Sequence, residues 1–219
     1  WVVPVSVFAY QLAPEPTWLN SLLPYWGVPS WGLILIHMLA LDLWLYWWHR
    51  WNHTLPFLWR FHSVHHRDDA LDATTAFRFH VGEVFLAALP RCLIIVALGI
   101  PLKHVLLYEG FVALHSVFHH ANIRLPQKLE PVLRPLFITP TMHWVHHNPR
   151  REDTDSNYGA TLSLWDIIFK SYNTKPAPPD QPMGIDGFIS EKPTFPKLLF
   201  QPFQNQDMLY KNPNKKPGS

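Results

Sequence analysis

Apolar stretches alternate with polar, histidine-bearing segments along the chain. Residues 1–10, WVVPVSVFAY, read as the end of an apolar segment. The chain opens on Trp1, so a truncated membrane segment is expected at this end. A Pro-rich connection runs to Pro29. Residues 31–50, WGLILIHMLALDLWLYWWHR, then supply enough apolar length to cross a bilayer at roughly 1.5 Å of helix per residue. Trp44, Trp47 and Trp48 before Arg50 read as an interfacial belt.

Residues 51–80 are polar. Residues 84–99 are apolar again, interrupted by Pro90 and Arg91, and GIP at 99–101 signals a turn. Another apolar run over 102–118 completes a helical hairpin. Its arms are roughly 24–27 Å long by helical rise, short for a full crossing, so a tilted or partly re-entrant hairpin is expected. Residues 121–170 suit short amphipathic helices. From 174 the chain is rich in Pro, Lys and Asn and is expected to form an irregular strap with a disordered tail.

The pattern predicts an all-α fold: an integral membrane helical bundle with a cytosolic, histidine-rich helical cap. Three parts are expected: 1–30 as the end of a membrane segment and a linker, 31–173 as the membrane and cap domain, and 174–219 as strap and tail. The first long helix ends at His49, and the hairpin returns to the same side at His115. Arg50, Arg60, Arg67, Arg78, Arg124, Arg134, Arg150 and Arg151 gather on that side, which the positive-inside rule makes cytoplasmic. The bacterial inner membrane and the endoplasmic reticulum both fit.

Composition narrows the chemistry. A formal net charge of +2 gives no basic face for nucleic acid. The single Cys92 excludes an internal disulfide framework and any Cys-rich zinc or iron–sulfur site. Histidine is the unusual count, at 14 of 219 residues. Ten of these form four clusters: His49 and His53; His62, His65 and His66; His115 and His119; His143, His146 and His147. The second and last repeat one pattern, His-x-x-His-His, which puts three imidazoles on one helix face. Ten imidazoles are too many for one tetrahedral zinc but suit two metal ions with about five ligands each. No Glu-x-x-His pair occurs, so the expected dimetal site is mainly histidine.

At these residues the chain resembles a known family. DLWLYWWHRWNH (42–53), LWRFHSVHH (58–66) and TPTMHWVHH (139–147) are similar to the histidine boxes of the fatty acid hydroxylase / sterol desaturase superfamily. RFH at 78–80, HHANIRLP at 119–126 and DSNYGATLSLWD at 155–166 extend the likeness over roughly 40–205. The resemblance implies a membrane enzyme with a di-iron centre that uses dioxygen to hydroxylate or desaturate an unactivated C–H position of a lipid. Sterol, fatty acyl and alkyl-glycerol lipids all remain open. It also implies electrons from a cytochrome or ferredoxin partner with its reductase.

The ten clustered histidines are the expected ligands, with His120 as the alternative to the His115 and His119 pair. His80 is read as a supporting residue more readily than as a ligand. Asp42, two helical turns before His49, is expected to accept an N–H from a metal-bound imidazole; the competing reading is a helix–helix hydrogen bond. Asn157 and Tyr158, after Asp155, either shape the pocket or belong to a turn closed by Gly159. His37 is read as a packed core residue, His104 as interfacial, and Arg91 as snorkelling or paired. A membrane metal carrier without oxygenase activity is the alternative function. A zinc hydrolase would need a general base such as the Glu of His-Glu-x-x-His, which is absent.

Overall fold

The structure is a computed structural model that describes residues 18–178, 180–185 and 193–204. The expectations for residues 1–17 and for the tail beyond 204 lie outside the described residues. The fold is all-helical, with one isolated bridge between Phe137 and Leu162. In chain order, α1 is Trp18–Tyr25, α2 Ser30–Thr54, α3 Pro56–His62, α4 Val81–Leu98 and α5 Leu102–His120. The cap follows as short helices: α6 Glu130–Leu133, α7 Pro140–His146, α8 Arg151–Thr154 and α9 Leu164–Ile168. Finally α10 is Phe195–Phe200.

Among the described residues, α2 and α4 are long and apolar enough to cross a membrane. The returning arm α5 is interrupted by Lys103, His104 and Glu109 and falls short of that standard. Leu41 of α2, Ile95 of α4 and Val105 and Tyr108 of α5 pack as one buried cluster with Ile100 of the turn. On the outside, Phe85, Leu89 and Leu93 recur every four residues along α4 and stay largely exposed. That stripe is the face a bilayer would cover.

The turn between α4 and α5 has a clear sequence cause. Gly99 adopts a left-handed φ of 61°, and the Ile100 N–H reaches back 2.9 Å to the Ile95 carbonyl. This is a glycine-closed helix end, and Pro101 then starts the next helix. Arg91 forms a buried ion pair with Glu109 across the hairpin, so its charge is matched inside the bundle and does not snorkel. His37 is packed as expected. His104 is buried too, its Nδ1 2.9 Å from that of His37, which replaces the interfacial position expected for it. Trp44 and Trp48 also face the interior, because the polar segment packs over that end of α2.

The region after 174 is not wholly irregular. The turn after α10, Gln201–Phe203, docks on the second histidine box, and the Leu199 carbonyl of α10 accepts from His80. The buried Gln201 donates to Ser63 Oγ at 2.8 Å and accepts from Arg67 at 2.7 Å.

Candidate metal centre

The paired His-x-x-His-His spacing has a structural reason. Each box sends its imidazoles into two neighbouring groups. The first group holds His49 and His53 from α2, His62 and His66 from the second box, and His146 from α7. The second holds His65, His120, His143 and His147. In each group the candidate ligand nitrogens lie within 4.8 Å of one another. The rings of His66 and His147, one from each group, stack with centroids 4.2 Å apart.

Five of the outer nitrogens are held by oxygen acceptors. In the first group, His49 Nδ1 donates to the Tyr158 carbonyl at 2.8 Å, His146 Nδ1 to the Ser156 carbonyl at 2.7 Å, and His62 Nδ1 to Glu83 Oε1 at 2.9 Å. A carbonyl can only accept, so the proton is on Nδ1 and the lone pair on Nε2. All three Nε2 atoms are buried without a hydrogen-bond partner.

The second group makes the same point by repulsion. His65 Nδ1 donates to the Arg78 carbonyl and His120 Nδ1 to the Ser116 carbonyl. Their Nε2 lone pairs therefore face each other at 3.2 Å, and His143 Nε2 lies 2.9 Å from that of His120. A cation between these nitrogens would relieve the repulsion of the fixed His65 and His120 lone pairs. A proton fits poorly. Burial, reinforced by neighbouring imidazoles, holds His65, His66, His143 and His147 well below the usual histidine range, and burial brings His146 down to about 3. Neutral imidazoles with fixed tautomers and unpartnered nitrogens are a donor set that fits metal ions.

Not every expected residue lies in these groups. The structure brings His120 into the second group in place of His115, whose Nε2 instead donates to the Ile138 carbonyl at 2.9 Å. His119 stands beside the group: its ring centroid is 4.1 Å from that of His143, and its Nδ1 is unpartnered. Both nitrogens of His80 are engaged, one accepting from the Gly82 N–H and the other donating to the Leu199 carbonyl.

The hydrogen bond expected from a ligand imidazole to Asp42 is absent. Asp42 accepts from Tyr108 Oη at 2.9 Å, Trp165 Nε1 at 2.8 Å, the Leu162 N–H and Thr161 Oγ1. The carboxylate thus ties α2 to α5 and to the cap, which is the helix–helix reading extended. Asn157, at a left-handed φ of 53°, bonds the Met142 carbonyl and the Asn173 N–H, which is turn chemistry. Tyr158 touches the centre through its backbone carbonyl, while its ring packs 5.3 Å from that of His53.

Two supporting acids received no role from the sequence. Glu83 holds His62. Asp166, wholly buried, accepts the N–H groups of Tyr158 and Gly159 at 2.8 Å each and so aims the Tyr158 carbonyl at His49. Burial pushes Asp166 up to about 6. Gly159 is required here: a Cβ would meet the Leu162 carbonyl at 2.6 Å. The only sequence signals were their places near RFH and at the end of DSNYGATLSLWD.

The comparison with family models decides the lineage: residues 34–171 match the model of the fatty acid hydroxylase family. The chain belongs to the fatty acid hydroxylase family. Within it, the chain is similar to an ornithine lipid hydroxylase from Rhizobium tropici, 29% identical over 79% of this chain and 51% of the relative. It is also similar to alkylglycerol monooxygenase from Danio rerio, 31% identical over 68% of this chain and 32% of the relative. A CER1-like 2 protein from Arabidopsis thaliana is 27% identical over 68% of this chain and 25% of that protein. The chain thus spans about half the length of the first relative and a third or less of the other two. No solved structure matches it. The family match runs from within α2 through α9 and includes every histidine of both groups.

Proposed function

We propose that this chain carries the catalytic centre of a membrane-bound, dioxygen-dependent di-iron enzyme that hydroxylates an unactivated C–H position of a lipid. The observation that carries the reading is the set of buried, unpartnered imidazole nitrogens in two adjacent groups. His49, His53, His62, His66 and His146 would hold one iron, and His65, His120, His143 and His147 the other, with His119 beside the second. The catalytic unit spans residues 31–173, and the strap after 174 braces its second box.

Two bound irons would supply the electrons-to-dioxygen chemistry that no side chain can perform. Overall, the lipid C–H becomes C–OH, and the second oxygen atom leaves as water with two protons and two electrons supplied from outside. The residues of the chain do the rest. The Tyr158, Ser156, Arg78 and Ser116 carbonyls and Glu83 fix the tautomers. Asp166 holds the Tyr158–Gly159 peptide in line. Leu45, Trp48 and Phe79 give an apolar lining to a cavity of about 100 Å³ beside the histidines, suited to part of a lipid chain.

Hydroxylation is preferred to desaturation because two of the relatives carry the names hydroxylase and monooxygenase. The lipid enters from the bilayer along α2 and α4. A cytochrome- or ferredoxin-type donor with its reductase docks on the cap, which faces the cytoplasm by its arginines. Lipid mass spectrometry of cells with and without the full-length, iron-loaded protein tests this. A lipid that gains one oxygen supports it, loss of two hydrogens moves the reading to desaturation, and an unchanged lipidome contradicts both. Metal flux through vesicles without oxidation would favour the carrier reading.

A further inference from the structure

The cavity beside the histidines is not uniformly apolar. Where it meets the first group, Asn52 and Glu83 form part of the wall. Both are buried, at 1% and 5% exposure. Glu83 is the third residue of α4, a position from which glutamate commonly folds back to cap its own helix. Here His80 takes the cap by accepting the Gly82 N–H, and the Glu83 carboxylate turns inward. Its Oε1 accepts from His62 Nδ1 and from Asn52 Nδ2 at 3.1 Å. That second bond fixes the Asn52 amide, since the reverse orientation would set two acceptors against each other. Asn52 Oδ1 and Glu83 Oε2 are left buried and unpartnered.

Two unsatisfied acceptors on neighbouring side chains that line one cavity are uncommon in a folded protein, and they call for a donor. The first group gives them their meaning. Asn52 is one helical turn from His49 and adjacent to His53, while Glu83 bonds His62 directly. A group held here sits against the ligands, with Leu45, Trp48 and Phe79 left to line an alkyl chain.

We propose that Asn52 Oδ1 and Glu83 Oε2 form an acceptor pair that recognises a hydrogen-bond donor, a hydroxyl or amide N–H, on the lipid substrate. This rests on the lipid-hydroxylase reading and deepens it. The substrate is a lipid with a donor close to the oxidised carbon, and oxidation falls near the polar end of the molecule rather than at the chain terminus. Asn52 and Glu83 are then specificity-determining residues. A site built to bond a donor discriminates strongly against the analogue that lacks it.

The test uses the full-length, iron-loaded protein in nanodiscs, with hexadecylglycerol and its dimethyl ether as probes. Binding is read by competition against a fluorescent lipid, and iron content is measured alongside. The free hydroxyl form should bind roughly tenfold or more tightly than the ether. Glu83→Gln replaces the free acceptor with a donor while Oε1 can still bond His62. It should bring the ratio toward one when the proteins are compared at equal iron loading, and Asn52→Leu should do the same. A ratio of one in the unmodified protein overturns the acceptor pair. So does a ratio untouched by Glu83→Gln, or equal weakening of both probes together with iron loss, which would mark a purely structural role. The two readings fail separately. A preserved ratio without lipid oxidation defeats the enzyme reading alone, whereas oxidation with a ratio of one defeats the acceptor pair alone.

Discussion

Asp42 and the histidine groups are both buried polar features brought together from distant segments, yet they differ in one respect. Around Asp42 the hydrogen bonds close: donors from α5 and from the cap converge on its two oxygens. Around His49, His62 and His146 only the outer nitrogen closes, and their inner nitrogens lie together without partners. A closed network holds the fold together, because its bonding capacity is spent. A network closed on one side and open on the other is prepared for something else to bind.

The largest expected effect comes from opening the outer shell and the inner set at once. His146→Ala removes a proposed ligand and vacates the Ser156 carbonyl. Iron content should fall by at least half and lipid oxidation to background, while circular dichroism keeps the helical signature. Oxidation that survives at near-normal rate would erase the contrast between the two regions.

Next is Asp42→Ala, which strips acceptors from Tyr108, Thr161, Trp165 and the Leu162 N–H together. Stability should drop by about 3 kcal/mol or more. The effect should be visible as a lower thermal midpoint in detergent with or without iron. An unchanged midpoint would mean that Asp42 is not the fastener between bundle and cap.

Proton uptake sharpens the comparison further. His146 has a folded value of about 3 against an ordinary 6.5, lowered by burial. Between those limits the unfolded chain binds more protons than the folded one, so His146 contributes stability that is lost as pH falls from 6.5 toward 3. His65, His66, His143 and His147 act in the same direction. Asp166, raised to about 6 from 3.8, works the other way across its own window and partly offsets the loss. The histidines outnumber it, so the metal-free protein should lose stability on acidification below about pH 6.5, and iron should dissociate over the same range. A pH-independent melting point from 7 to roughly 5 would contradict this.

The smallest effect belongs to Tyr158→Phe. Its carbonyl holds His49 and survives the change, so iron content should stay within about 20% of normal and stability within about 1 kcal/mol. Large iron loss would show that the hydroxyl serves the centre.

The two regions were not equally legible in the sequence. The boxes at 62–66 and 143–147 were visible because their spacing is local: residues three and four apart lie near one another in a helical turn. What spacing could not reveal was the division of each box between two groups, since that depends on how α3 and α7 face each other. The same limit explains His120. His115 and His119 share a face one turn apart, but α5 turns the neighbouring face, with Ser116 and His120, toward the boxes. Asp42 was noticed because a carboxylate inside an apolar helix is unusual. Its partners at 161–165 lie about 120 residues away and gave no local sign. Glu83 and Asp166 act by supporting a ring and a peptide, roles that only tertiary contact defines. The helical bundle itself was readable from apolar run length, except where Lys103, His104 and Glu109 weaken α5 as a spanning segment.

The central claim is that two groups of imidazoles hold two ions. Anaerobic reconstitution of the full-length protein with ferrous iron, followed by metal analysis and Mössbauer spectroscopy, tests it most directly. Two irons per chain in nitrogen-rich sites, coupled to each other once oxidised, are the predicted result. A single iron per chain, or none retained after desalting, would contradict it.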